Sequence, residues 1–220
     1  MFEWLARLLG RSNAPQKRIL SIDDGNQNEL LNAPTISKDF LSEIRGKYSW
    51  SNFDEYDNRV YAFMDKLLYP AIRQANIQDF ELLWDSFSRT QKIFYTLITF
   101  DGQVKNGGVY QFLFNYPELG FAALESFEEI DETKLREDYE KTISEFLGKT
   151  STIGELKQAF NDQSLDWEKR WASFSSGYNE LKTTKTIEDY FYTTDFCKSH
   201  FQLISKFLES NIEQMEQIGE

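Results

Sequence analysis

The sequence predicts an all-α fold: a single compact multi-helix domain behind a flexible N-terminal extension. Three observations point there. Apolar residues recur at helical spacing over most of the chain after residue 37. Tyr190-Phe191-Tyr192-Thr193-Thr194 is the most strand-like stretch, and an isolated strand has no partner. The 220 residues include 19 Phe, 11 Tyr and 5 Trp, enough for a sizeable core in one domain.

Residues 1–36 read as an extension. Phe2, Trp4, Leu5, Leu8 and Leu9 make a short apolar face with Arg7 and Arg11 opposite, too short for a strong interfacial helix. Ser12-Asn13-Ala14-Pro15, Asp23-Asp24-Gly25-Asn26 and Asn32-Ala33-Pro34 are loop signals, so residues 12–36 read as a linker. The domain proper, 37–218, starts where Thr35 or Ser37 can cap a first helix. Tyr56, Val60, Phe63, Met64, Leu67 and Leu68 then follow helical spacing, and Pro70 should kink or end that helix. A strong helix is expected over Phe80–Phe100, from Leu83, Trp84, Phe87, Gln91, Phe94, Tyr95 and Ile98. Asp101-Gly102 should end or bend it.

Asn106-Gly107-Gly108-Val109-Tyr110-Gln111-Phe112-Leu113-Phe114-Asn115 is the most distinctive stretch. Asn106 suits a helix N-cap, and the glycine pair permits unusual backbone angles. Val109–Phe114 is apolar nearly all round, which predicts a short buried helix. Asn115-Tyr116-Pro117 closes it, because the residue before proline avoids helical angles. Pro117 suits the first turn of a helix through Phe121, Leu124 and Phe127 toward Ile130. Residues 133–147 should form a helix with Leu135, Tyr139, Ile143 and Phe146 inward. Ser151–Phe160, Trp167–Leu181 and Ile187–Ile218 complete the set, the last as one long helix or two.

Charge narrows the function classes. With 36 acids against 24 bases the formal net charge is −12. That argues against direct nucleic-acid binding, which needs a basic patch, and against docking on an anionic membrane. It suits a solvated protein, a basic partner or a cation-binding surface. One cysteine, Cys197, excludes an internal disulfide and fits a reducing compartment. The first residues lack a signal-peptide core, and no run approaches ~18 apolar residues, so the sequence predicts a cytoplasmic protein.

Catalytic and metal motifs are sparse. Cys197 and His200 are spaced like half a zinc site, but a tetrahedral site needs about four ligands and there is no second cysteine or histidine. No Glu-x-x-His pair supports a di-iron site. Asp54-Glu55-x-Asp57 reads as the acidic first turn of a helix, and Gly107-Gly108 lacks the Lys-Ser/Thr of a phosphate loop. No cofactor, metal or catalytic residue is expected.

The acids are unevenly placed. From Glu118 to Glu145 there are ten acids and three bases, net −7. If 121–132 is one helix, Glu125, Glu128, Glu129 and Glu132 share a face, spanning a rise of about 10 Å. That is comparable to roughly three phosphate steps of a DNA strand at about 3.4 Å each. Such a face suits a basic partner or plain solvation.

The segment Gln91–Phe146 resembles a bacterial family of acidic helical proteins typified by a DNA mimic. The likeness rests on Asn106-Gly107-Gly108-Val109-Tyr110-Gln111-Phe112 with Asn115 trailing, on Ile93-Phe94-Tyr95-Thr96-Leu97 before it and on Ala123-Leu124-Glu125 after it. More loosely it extends over residues 48–215. Val109 stands where that pattern leads one to expect phenylalanine. The resemblance implies an all-helical, non-enzymatic protein whose carboxylates imitate DNA phosphates on the DNA-binding face of a regulator. Within it, Asn106, Gly107, Gly108, Gln111 and Asn115 are structural. Glu125, Glu128, Glu129, Asp131, Glu132, Glu137, Asp138 and Glu140 are the expected partner-binding, phosphate-mimicking acids. The expected partner is a basic protein, either a DNA-binding protein or, for an immunity- or antitoxin-like role, a nuclease. A carboxylate-using enzyme is the remaining alternative.

Overall fold

The computed structural model describes residues 19–25, 80–149, 166–211 and 214. The elements expected at 37–74 and 151–160, the Asp54-Glu55-x-Asp57 group and the Met1–Arg11 face lie outside these. Among the described residues every regular element is helical. They are α1 (Phe80–Ser86), α2 (Arg89–Asn115), a 3-10 turn (Pro117–Leu119), α3 (Gly120–Glu129), α4 (Thr133–Lys149), α5 (Trp167–Glu180), α6 (Thr184–Phe191) and α7 (Thr194–Ser210). None is long and apolar enough to cross a membrane.

α2 is the central element, with α3, α5, α6 and α7 all packed on it. Phe100 marks the centre. Its ring lies 5.0 Å from Phe112, 4.9 Å from Phe127, 5.3 Å from Tyr139 and 5.9 Å from Phe191, each edge-on. Edge-to-face rings add roughly 0.5–1.5 kcal/mol per pair beyond their burial. One side chain thus ties both halves of α2 to α3, α4 and α6. Leu135, Tyr139, Ile143 and Phe146 of α4 are all buried, as their spacing predicts. Tyr139 satisfies its hydroxyl by donating to the Gly120 carbonyl at 3.1 Å.

Helix boundaries differ from the sequence expectation in two places and resolve an open alternative in a third. The helix expected over Phe80–Phe100 is two helices. Ser88 interrupts it by capping α2: its Oγ accepts from the Gln91 amide, while the Gln91 side chain accepts from the Ser88 amide. This reciprocal capping box satisfies two otherwise orphaned donors. Second, Asp101-Gly102 neither ends nor bends the helix, which runs on through Asn106. Asp101 is buried and pairs with Lys105 one turn on, at 3.0 Å. The strand-like Tyr190–Thr194 is, as the lack of a partner strand implies, no strand: it is the end of α6, a turn and the first residue of α7. Thr193 caps α7 by accepting from the Phe196 amide, so of the one long helix or two expected at the C-terminal end the structure has two.

Residues 19–25, inside the expected linker, are packed. Leu20 and Ile22 are buried in the same core as α1–α3.

Candidate functional site

The Asn-Gly-Gly motif is a break inside α2. Asn106 is exposed and still helical, so it is not the N-cap expected of it. The break falls on Gly107 (φ −165°, ψ 28°) and Gly108 (φ 81°, ψ 175°). The angles at Gly108 belong to a region essentially reserved for glycine. The helix restarts at Val109, whose amide would be orphaned. Glu188 of α6 supplies the cap from 79 positions away: Oε1 accepts from the Val109 amide at 3.3 Å. Its other oxygen accepts from the Tyr178 hydroxyl at 2.7 Å. Tyr192 closes the opposite side of the break, donating to the Val104 carbonyl at 2.6 Å.

These contacts shift the phenols. Glu188, hydrogen-bonded to Tyr178, together with burial, pushes that phenol up to about 12. Burial does the same to Tyr110, with the charge of Glu180 assisting, again to about 12. Gln111 and Asn115 are half-buried and donate to one acceptor, Gln103 Oε1, at 3.1 and 2.7 Å. The motif therefore builds a bent helix. Sequence reasoning missed Glu188, Tyr178, Tyr192 and Gln103, none of which lies in the motif.

The eight acids occupy quite different settings. α3 ends at Glu129, one turn short of Glu132, so the face expected to run from Glu125 to Glu132 stops there. The chain leaves through a Schellman turn. The Glu132 amide donates to Phe127 O at 2.9 Å, the Asp131 amide donates to Glu128 O at 3.1 Å, and Asp131 takes φ 59°. This turn sends Glu132 inward. Its carboxylate meets His200 Nδ1 at 2.8 Å, both residues being buried. Asp138 is also largely buried and binds Lys134 at 3.0 Å and Lys141 at 2.9 Å. Burial alone would raise its carboxyl, but hydrogen bonds from Lys141 and Lys134 prevail and hold it below the ordinary range.

Glu125 is half-buried and accepts from Ser21 Oγ and the Ile22 amide. Glu129 accepts from Arg89, which depresses its carboxyl below the usual range against the effect of burial. Like Glu129, the remaining four acids, Glu128, Asp131, Glu137 and Glu140, are exposed. Arg136 bridges two of them, its Nε lying 3.5 Å from Glu128 and its Nη1 3.7 Å from Glu140. The guanidinium holds a carboxylate of α3 and one of α4 within its own span.

Cys197 donates its thiol to the Phe191 carbonyl, and His200 is held by Glu132 and stacked on Phe196. Among the described residues no three His, Cys, Asp or Glu side chains are grouped to hold a metal.

A search of the curated proteins and a search of the solved structures each returned no match. A family model described as DMP19-like protein matches residues 85–211, from within α1 to the residue that caps the end of α7. That span holds the glycine break, the residues that cap it and all eight acids, and it is more than half of the chain; the protein therefore belongs to the DMP19-like family.

Proposed function

We propose that this protein binds the basic, DNA-contacting surface of a partner protein and imitates DNA phosphates with the acids of the α3–α4 edge. The observation that carries the proposal is the exposed group Glu128, Asp131, Glu137 and Glu140, which lies around the Schellman turn and along the first half of α4. Helix neighbours three or four apart lie about 5–6 Å from one another, a spacing suited to successive phosphates. Arg136 fits such a role: it restrains Glu128 and Glu140, and a partner's arginines can displace it. Glu132 and Asp138 support the edge from below, while Glu125 and Glu129 flank it. Family membership and a net charge of −12 favour this reading over plain solvation.

The test is affinity capture of DNA-binding proteins on the tagged chain, followed by competition with duplex DNA. Captured partners should be released by duplex DNA and by salt, since phosphate-like contacts are screened and exchange counterions. Reversal of Glu128, Glu137 and Glu140 to Lys should weaken capture by at least about tenfold, given k_on and affinity effects of rim charges. Capture indifferent to salt, to duplex DNA and to these reversals would sink the proposal. A captured nuclease, inhibited by the chain, would instead favour the immunity-like role.

A further inference from the structure

Residues 19–25 lie along α1, α2 and α3 as a bound peptide lies in a recognition groove, running without regular structure to Ser21 and turning at Ile22-Asp23. Their side chains alternate: Leu20 and Ile22 are buried, while Ser21 and Asp23 face polar groups. Domain groups read the peptide backbone one position after another. Leu20 N–H donates to Glu118 O at 2.9 Å. The Trp84 indole donates to Ser21 O at 3.0 Å, and Ile22 N–H donates to Glu125 at 2.9 Å. Lys92 Nζ donates to the Asp24 carbonyl, and Arg89 pairs with the Asp23 carboxylate at 3.0 Å. The segment folds over in a turn, Asp24 N–H to Ser21 O, and ends on Gly25 at φ 90°. A Cβ there would meet the Asp85 carbonyl at 2.5 Å.

Two apolar sockets, an indole donor, a carboxylate acceptor and two cations are the parts of a peptide site, with main-chain bonds for affinity and alternate pockets for specificity. We infer that this groove is a recognition site for short turn-forming peptides, occupied in cis by the chain's own residues 19–25. Its ligand class is an apolar-x-apolar pair followed by two acids and a glycine. The inference is independent of the DNA-mimic proposal, which concerns the α3–α4 edge. It has one consequence for that edge: the seated segment covers Glu125 and shares Arg89 with Glu129.

The experiment inserts a specific protease site between Asn28 and Glu29 of the full chain, cuts it, and follows the two pieces by size exclusion. The cut N-terminal piece should stay bound, and excess synthetic peptide of residues 17–27 should displace it. A scrambled peptide should not. The double change Leu20→Ser, Ile22→Ser should weaken retention by at least about 100-fold, since each buried apolar side chain contributes tens-fold. Loss of the piece on cleavage, or retention unaffected by the double change, would overturn the inference. Should the cut protein unfold, the intact chain decides. Excess peptide added in trans should speed hydrogen exchange at the Leu20 and Ile22 amides, and unchanged exchange would reject the groove as a peptide site.

Discussion

Gly108→Ala should be a costly methyl addition, because it strains the backbone and dislodges the cap of the helix break together. At φ 81° and ψ 175° the backbone sits where an L-residue is strained, worth about 1–3 kcal/mol. The new Cβ would also lie 2.3 Å from Glu188 Oε1 and 3.1 Å from Tyr178 Cε2. The carboxylate must move, and with it go the bonds to the Val109 amide and the Tyr178 hydroxyl. At about 1 kcal/mol each, these losses bring the total to roughly 3–5 kcal/mol. That is a large part of a typical domain stability of about 5–15 kcal/mol. Gly102→Ala is the control. It lies in the same helix with nothing within 4 Å of an added Cβ, and should stabilise by about 0.5–1 kcal/mol. Urea titrations followed by circular dichroism measure both. A Gly108→Ala loss below about 1 kcal/mol, or equal responses at the two sites, would refute the account of the break.

Three further outcomes follow from the same structure. His200→Ala leaves the buried Glu132 carboxyl group without its hydrogen-bond partner and should cost about 1–3 kcal/mol, measured by denaturation; the double change with Glu132→Gln should cost clearly less than the two singles together. Asp131→Gly relieves a left-handed residue at φ 59° and should stabilise by about 0.5 kcal/mol in the same urea titration, where a loss of stability would refute the reading. Tyr110 and Tyr178 both have folded-state values of about 12, above the ordinary phenol value of about 10. Their stabilisation is complete below about pH 10 and is lost as pH climbs toward 12, so the thermal midpoint should fall through that window. Glu188→Gln should move the Tyr178 phenolate transition downward in a spectrophotometric titration; an unmoved transition would deny Glu188 its part.

What the sequence reveals depends on how local the cause is. α4 is legible because Leu135, Tyr139, Ile143 and Phe146 repeat on one face and nothing distant overrides them. The split at Ser88 was encoded in Ser88-x-x-Gln91, but the apolar spacing of Leu83, Trp84, Phe87 and Phe94 runs through the break and conceals it. Asn106 looked like a cap because asparagine caps helices; the actual cap, Glu188, arrives from α6. The acid cluster was visible as charge. Its division into exposed and buried members was not, because it depends on Asp131 adopting a left-handed angle and on His200 waiting 68 positions on. Leu20 and Ile22 alternate as a docked strand would, yet the neighbouring Asp23-Asp24-Gly25 reads as a plain loop. The family likeness supplied what spacing could not.

The break in α2 also sets an order of assembly. Until α6 docks, Val109 and Val104 lack the bonds that Glu188 and Tyr192 supply, and those two residues come more than 70 residues later in the chain. A nascent chain stopped near residue 150 has every reason to keep its glycines fluctuating rather than bent. The signature of this fold is accordingly a pair of separated positions, a glycine at 108 and an acid at 188. A relative that changes one of them should be found to have changed the other.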